Sequence, residues 1–515
     1  MYTGLARKLG LIDRNDNAYT ADGQHNHRQV IDLSHIHHKL HAACAFYRSG
    51  FESAVSVIVD GAGTFIPMNI NMGVFNEEYM SWECESIFNC AYPDNFKTLY
   101  KHQGGNGPFP GTRIPYIPSD REGEEGFHEL VLDDSAGIVK AYEAVTQYCG
   151  FPAIEAGKLM GLAPYGNPNE DLPSFFNGEW GNRNLIIPTY PNAALLNVSR
   201  YDILKEDVKN HVEGEYTDVQ KDLAYKIQEQ TSDRMVQLIK KAHELTGEKN
   251  IVICGGYGLN CVANYKYWKE FPDLNIYCEP ISHDGGTSIG GAKYVHHKLE
   301  ETKTPSKQES VYYGPQYDPS GYEADLEGLE VTETSYDGVA KLIREGNIVT
   351  IYQGRSEGGP RALGNRSILF DPTTKDGKDY VNTVKRREWF RPFACSIKKE
   401  AVHDWFDLAG REETPHMMYA VKCHDGVEEK IPSVIHVDNT CRIQTVTPEQ
   451  NEHYYNLIDA FDKIAGVPIL FNTSFNLGGD PLVETIEDAV NTLNKSDIEW
   501  MYLPEIQKLV HVPNE

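Results

Sequence analysis

Short apolar runs that stop at a polar or glycine turn punctuate this chain. AVSVIVDGAG (54–63), NIVICGGYGLN (250–260), VAKLIREGNIVTIYQG (339–354) and GVPILFNTSFNLGGD (466–480) each contain what reads as a buried strand emptying into such a turn. A run of that kind needs helices to cover it, and the text supplies them. HIHHKLHAACAFYRS (35–49) carries alanines and a Leu/Phe face, and Ala136–Tyr148 reads as a second helix. Leu223, Ala224, Ile227, Met235, Leu238, Ile239 and Ala242 keep an approximate 3.6-residue period. HDGGTSIGGAKYVHHKL (283–299) is a glycine loop running into another helix. Strands interleaved with helices give an α/β class.

FIPMNINMGVFNEEYMSWEC (65–84) offers further strands. Residues 91–130, rich in Pro, Gly and aromatics, read as loops around small elements, and 167–213 as an irregular excursion or lid. The polar stretch ETKTPSKQES (301–310) puts the inter-domain connection within 301–335, dividing the chain into 1–335 and 336–515.

Charge excludes some partners. Against 48 Lys and Arg stand 75 Asp and Glu, a net charge of −27, which opposes general binding to nucleic acid or to anionic membrane. No run of about 18 apolar residues is present to span a bilayer, and the first residues lack the apolar core of a signal peptide. The ten cysteines include no CxxC pair. They read as reduced, partly buried thiols of a cytoplasmic protein, not as structural zinc ligands.

Three constellations carry chemistry. In the first, His37 and His41 are four residues apart on a helix and share a face, and His38 with His41 offers a second pairing. Asp60 ends an apolar strand, where a carboxylate is costly unless solvated, paired or metal-bound. Asp284 stands at another strand-to-helix junction. Together they make a two-His, two-carboxylate site for a divalent ion; a polar helix face with ordinary strand-end aspartates is the alternative. The second is a pair of glycine loops. Gly255, Gly256, Gly258 and Asn260 follow one strand, and Gly285 and Gly286 lead into a helix N-terminus suited to phosphate. Neither matches the P-loop or a dinucleotide fingerprint, and tight turns in a buried sheet need glycine anyway. The third is GRSEGGPRALGNRSILFDP (354–372), followed by VKRREWFRPF (384–393) and CRIQTV (441–446). Arg355, Arg361, Arg366, Lys385, Arg386, Arg387, Arg391 and Arg442 concentrate positive charge in an acidic protein. Such a group suits phosphate or carboxylate, with Pro392 and Phe393 as walls and Asn472, Thr473, Ser474 and Asn476 following a buried strand. Salt bridging to neighbouring acids is the alternative. No GxSxG elbow is present, and no local pattern makes Cys44 or Cys395 a nucleophile.

Taken together these blocks resemble the ATP-dependent O-carbamoyltransferases of the nodulation and antibiotic-tailoring type. HHKLHAACAFYRSGF, VIVDGAG, GKLMGLAPYG, CGGYGLN and HDGGTSIGGA resemble the blocks of that family's first domain. GRSEGGPRALGNRSIL, VKRREWFRPFACS, CRIQTV and GVPILFNTSFNLGGDPLV resemble its second. The resemblance implies an actin-like/Hsp70-like ATPase fold of the threonylcarbamoyltransferase kind for 1–335, holding Fe2+ or a similar ion through His37, His41, Asp60 and Asp284. It implies an α+β threonylcarbamoyl-adenylate-synthase-like fold for 336–515. There, carbamoyl phosphate and ATP would give carbamoyl adenylate, with Arg361, Arg366, Lys385, Arg391 and Arg442 neutralising charge. Gly255, Gly256, Gly258, Asn260, Gly285, Gly286, Asn472 and Ser474 would bind nucleotide or substrate. The carbamoyl group would pass to a hydroxyl of a small molecule, saccharide or nucleoside. The family's opening Gly-His-Asp turn has no counterpart, so a truncated or rebuilt N-terminus, or a separate partner chain, is expected. Threonylcarbamoyl transfer to tRNA and a non-catalytic subunit are the competing functions; a homo-oligomer is compatible with the sequence.

Overall fold

The computed structural model describes residues 33, 35–71, 76–105, 112–114, 129–132, 136–177, 180–189, 193–210, 212, 214–305, 307, 310–322 and 326–513. The expectation of a rebuilt N-terminus falls on residues outside these.

The first sheet is built from β1 (Ser53–Val59), β2 (Phe65–Asn71), β3 (Asn76–Ala91), β4 (Asn95–Gly105), β5 (Thr112–Ile114) and β6 (Glu129–Leu132). After two small hairpins, β7 (Phe176–Asn177) with β8 (Trp180–Gly181) and β9 (Ile186–Thr189) with β10 (Ala193–Leu196), the chain returns to it as β11 (Asn250–Cys254) and β12 (Asn275–Cys278). The strand order is β12-β11-β1-β3-β4-β6-β5, with β2 also on β3. β1 is therefore central, parallel to β11 and antiparallel to β3. Its side chains alternate between two cores, as a period of two requires. Val55, Val57 and Val59 face one apolar cluster; Ala54 and Ile58 face the other.

Helices cover both faces. On one lies α1 (His37–Ser49), whose Ala42, Ala43, Phe46 and Tyr47 pack on Ala54, Ile58 and Val252. It lacks a side-chain N-cap; instead the His37 N–H donates to Thr64 Oγ1 at 3.2 Å, and Gly50 at φ 81° ends the helix. On the other face lie α2 (Gly137–Tyr148), α3 (Ala156–Leu162), α4 (Asp202–Asn210) and α5 (Asp218–Thr246). A capping box of Thr217 and Gln220 starts α5. The helices α6 (Cys261–Glu270) and α7 (Gly285–Glu300) follow β11 and β12. No described helix is long and apolar enough to cross a membrane.

A ten-stranded sheet organises the remainder: β13 (Glu330–Glu333), β14 (Val349–Tyr352), β15 (Arg366–Phe370), β16 (Ala394–Lys398), β17 (Phe406–Asp407), β18 (Ala420–Cys423), β19 (Thr440–Val446), β20 (Ile469–Ser474), β21 (Trp500–Leu503) and β22 (Lys508–His511), in the order β13-β22-β21-β14-β15-β20-β16-β19-β18-β17. GVPILFNTS thus supplies an interior strand, as its apolar run requires. Two expectations change. β13 pairs with β22, so the second sheet draws its first strand from inside the segment read as a connection. Residues 95–105 form a full strand on β3; the breakers around NFKTLYKHQ mask its pairing partner in the sequence.

Candidate functional site

Three elements converge at the end of β1. Asp60 follows Val59 and is fixed by its N–H donating to the Cys84 carbonyl at 3.1 Å. Helix α1 presents His37 and His41 from successive turns, and Asp284 sits at the start of α7. His37 Nε2 lies 3.1 Å from Asp60 Oδ2 and 3.5 Å from Asp284 Oδ1. His41 Nε2 lies 3.7 and 3.5 Å from the same two atoms. The two imidazole nitrogens are 3.1 Å apart, and all four ligand atoms fall within 4.8 Å of one another. Cys254 Sγ, 3.5 Å from His41 Nδ1, engages the far side of that ring and turns Nε2 toward the carboxylates. The His41 side is buried, whereas the Asp284 side chain is 60% exposed, so the centre opens on one side.

The electrostatics favour positive charge between the two carboxylates. Burial raises the Asp60 pKa, but His37 and His41 outweigh it and hold the carboxyl well below its ordinary range. The same imidazoles hold Asp284 down. Burial opposes charge on His41, yet Cys254, Asp284 and Asp60 raise its pKa well above 6.5. The two ring nitrogens, 3.1 Å apart, can share one proton between them but cannot both carry one, and that positive charge sits where a divalent ion would bring it. Two nitrogen and two oxygen donors fit a first-row divalent metal.

The glycine loops prove to be packing devices. An added Cβ on Gly255 (φ 90°) would lie 2.3 Å from the Val59 carbonyl oxygen, and one on Gly258 2.7 Å from Ser282 Oγ. The Gly256 N–H donates to Asp60 Oδ1 at 2.9 Å, so this turn holds a ligand in place. Asn260 is spent as the N-cap of α6, accepting from the Ala263 N–H, and on Gln228. Around Asp284, a Cβ on Gly286 would meet the Ile281 carbonyl at 2.1 Å, and one on Gly285 the His283 ring at 2.5 Å. Small residues there let α7 lie against α1 and bring Asp284 to the histidines. Most of their close neighbours are the protein's own backbone and side chains, so packing by itself accounts for glycine at these positions.

The arginines divide. A cavity of about 170 Å³ lies between the two halves, lined by Gly157, Met160, Gly161 and Cys261 from one and by Arg361, Arg387, Arg391, Pro392, Phe393, Arg442, Asn472 and Ser474 from the other. Arg361 donates to the Leu259 carbonyl at 3.0 Å, which joins this cavity to the turn that braces Asp60. Arg361 Nε and Arg442 Nε are buried with no partner among the described residues. Burial first, then mutual repulsion with Arg442 and Arg391, pushes the Arg361 pKa below its ordinary value; Arg387 is depressed the same way. Of the carboxylates, Asp438 lines the cavity and Glu388 reaches Arg391 at 3.5 Å. Crowded, desolvated guanidiniums of this kind call for an anion.

Arg366 does not join them. Fully buried, it donates to the carbonyls of Gln353, Gly354, Asn365 and Glu484 and stacks on Tyr352 with 3.7 Å to the ring centroid. It acts as a structural clamp and does not line the cavity, although its Nε, like those of Arg361 and Arg442, has no partner among the described residues. Lys385 is also buried. Its ammonium donates to the carbonyl oxygens of Ser474 and Asn476 and to Asn476 Oδ1, fixing the loop that carries Ser474 to the cavity. Burial and the nearby Arg387 and Arg391 push its pKa well down. His436, which the sequence did not single out, also lines the cavity.

Comparison with known proteins places both halves. Residues 12–293 match the family model described as Carbamoyltransferase N-terminus, and 340–508 that described as Carbamoyltransferase C-terminus. The nodulation protein NolNO of Sinorhizobium fredii is 30% identical over 92% of this chain and 63% of its own length. The uncharacterized protein sll1178 of Synechocystis is 30% identical over 92% of this chain and 75% of that protein. The 3'-hydroxymethylcephem-O-carbamoyltransferase of Streptomyces clavuligerus is 28% identical over 67% of this chain and 63% of that one. Full-length HypF in its phosphate- and nucleotide-bound form is a remote likeness, with 14% identity and a TM-score of 0.30 over 54% of this chain and 44% of that one. Both family models meet on one chain, the first over the half that holds the His-carboxylate centre and the second over the half that supplies the guanidiniums, and the chain belongs to the carbamoyltransferase family.

Proposed function

We propose that this protein activates carbamoyl phosphate with ATP in the arginine cavity and transfers the carbamoyl group to a hydroxyl acceptor at the His-carboxylate centre, acting in the cytoplasm. The observation that carries the reading is the crowding of Arg361, Arg387, Arg391 and Arg442 around one cavity, with buried guanidinium nitrogens left unpaired. Carbamate is a poor electrophile, and a mixed anhydride with AMP gives it a good leaving group. Water releases phosphate from carbamoyl phosphate; a carbamate oxygen then attacks the α-phosphorus of ATP, and the bond to the pyrophosphate oxygen breaks. Negative charge shifts among phosphoryl oxygens throughout, and preorganised guanidiniums stabilise it best where water is excluded. Lys385 holds Ser474 and Asn476 in place during this step.

The acceptor oxygen next attacks the carbamoyl carbon, AMP departs, and the hydroxyl proton is lost. His37, His41, Asp60 and Asp284 would hold a divalent metal, with Fe2+ the favoured identity, and the ion would supply Lewis acidity toward carbonyl or phosphoryl oxygen. The turn from Gly255 to Asn260 touches Asp60 at one end and Arg361 at the other, so it links the two sites. On this reading the first half is the actin-like transfer domain and the second the adenylate-forming domain, and the acceptor is a small molecule, saccharide or nucleoside.

Incubation with carbamoyl phosphate, ATP and ferrous ion should release pyrophosphate, and an acceptor should convert the activated carbamoyl group into AMP and product. Folded protein that releases no pyrophosphate under these conditions overturns the proposal. Dependence on threonine and bicarbonate instead would move it to threonylcarbamoyl chemistry.

A further inference from the structure

A second group of metal-ligating side chains lies apart from both sites. Neighbours on a strand point to opposite faces of a sheet, so Cys84 and Glu85 on β3 would ordinarily be kept apart by it. The pairing with β4 slips between them. Glu83 lies opposite Gln103 and Glu85 opposite His102, which leaves Cys84 as the extra residue of a bulge, and a bulge re-aims a side chain. One ligand atom each from Cys84, Glu85 and His102 accordingly falls within 4.8 Å of the others, and all three residues are buried. Strand pairing makes the group, across the 17 residues from Glu85 to His102, which is why spacing alone marks no cysteine here as a zinc ligand.

The surroundings suit an ion. A cavity of about 20 Å³, room for one water, is lined by Glu85, His102, Gly137 and Arg234 among others. Gly137, at φ 75°, leaves the space beside carboxylate and thiol unfilled: a Cβ there would stand 3.0 Å from Glu85 Oε1 and 3.1 Å from Cys84 Sγ. The carboxylate is braced, with Oε1 accepting the Ile138 N–H at 2.8 Å, and its Oε2 meets His102 Nδ1. An ion would take the place of the proton that these two share. Cys84 Sγ makes long contacts, 3.8 Å to the Trp82 carbonyl and 3.9 Å to that of Ala136, which a weak S–H donor gives up at little cost. Arg234 is engaged elsewhere: its Nη1 donates to Gln237 Oε1 at 2.6 Å and its guanidinium lies over the Phe176 ring.

Thiolate, imidazole and carboxylate form a ligand set for Zn2+ and divalent ions of similar softness. With Zn–S of about 2.3 Å and Zn–N or Zn–O of about 2.0–2.2 Å, tetrahedral donors stand roughly 3.3–3.6 Å apart, so closing on an ion draws these three together by at most roughly 1.5 Å. We propose that Cys84, Glu85 and His102 form a second metal site, which takes Zn2+ or a divalent ion of like softness, with a water in the adjoining cavity as the fourth ligand. The thiol proton leaves on binding. Thiolate and carboxylate balance the two charges of the ion, so the occupied site buries no net charge and Arg234 does not oppose it. The Cys84 carbonyl accepts the Asp60 N–H at 3.1 Å, so the ion pins the strand on which that ligand of the first centre rests.

Titration of Co2+ into the reduced full chain reports on the two centres separately. A cobalt–thiolate bond gives a strong near-ultraviolet charge-transfer band, and the set of His37, His41, Asp60 and Asp284 contains no sulfur. The wild-type protein should bind two equivalents of Co2+ and develop the band with one of them, and added Zn2+ should bleach it. Cys84→Ser should lose the band and keep one equivalent. His102→Asn leaves the sulfur in place and should move the band to at least about tenfold higher Co2+; it also serves where the Cys84 variant fails to fold. Wild-type protein that binds Co2+ without the band overturns the proposal. So does a band that survives Cys84→Ser, which assigns it to another thiol such as Cys254 beside His41, and so does an unchanged titration in His102→Asn. Failure to bind any Co2+ overturns this site and the first centre alike.

Discussion

Adjacent glycines on α7 give opposite predictions. A Cβ on Gly290 would stand 2.0 Å from the carbonyl oxygen of Leu40 and 2.9 Å from the Cys44 nitrogen, both backbone atoms of α1. A carbon meets a carbonyl oxygen at about 3.3 Å, so Gly290→Ala must push the two helices apart by roughly 1.3 Å. Overpacking of that kind costs about 1–3 kcal/mol. The displacement also separates ligands, because α1 carries His37 and His41 while Asp284 leads α7. Metal sites tolerate ligand errors of about 0.2 Å, and disturbing the support of a site costs about 10–100-fold in affinity.

Gly291→Ala is the control. The nearest atoms to its Cβ are Leu33 Cδ1 at 3.5 Å and Leu40 Cδ2 at 3.9 Å, which is ordinary contact. The gain in helix propensity is about 0.8–1.0 kcal/mol, so this variant should unfold at equal or higher denaturant and bind metal normally. Urea unfolding of the metal-free proteins and calorimetric titration with ferrous ion measure both effects. Wild-type metal affinity in Gly290→Ala, or equal destabilisation by the two substitutions, refutes the claim that helix contact sets the ligand geometry.

Asp60→Asn retains an oxygen for the Gly256 N–H and loses one charge; metal affinity by titration should fall at least about tenfold, and the unfolding midpoint of the metal-free protein should fall as well, because the carboxylate that His37 and His41 hold ionised contributes stability. Arg442→Met should abolish pyrophosphate release while leaving the ligand-free protein as stable or more so, because one of several crowded cations gives way to an apolar side chain; a loss of stability argues against crowding as its state. His416 gives a pH prediction. Burial first, then Arg48, lowers its pKa to about 4, below the ordinary 6.5. The unfolded chain therefore binds the extra proton first as pH falls, and stability should decline from pH 6.5 toward 4. Urea midpoints across that range should flatten in His416→Gln.

What the sequence disclosed depended on whether a residue's role is local. The spacing of His37 and His41 is a property of one helix, and a carboxylate ending an apolar strand is a property of one strand, so this centre was legible before its parts were known to meet. Arg366 and Arg442 look alike on paper, each among small or apolar neighbours. Only the path of the chain around residues 353–366 and 484 shows that one guanidinium spends both its terminal nitrogens on carbonyls, whereas the other lines a cavity. Gly255, Gly256, Gly258, Gly285 and Gly286 were read for what a missing side chain offers a ligand; the fold also uses the missing side chain to bring β1 against the turn and, with Gly290, α1 against α7. His436 left no local signal, because what seats it in the cavity wall is one bond to a carbonyl 275 residues away. Both sites are therefore assembled by contacts distant in sequence, and the turn from Gly256 to Leu259, braced on Asp60 at one end and on Arg361 at the other, is where a shift in one would reach the other.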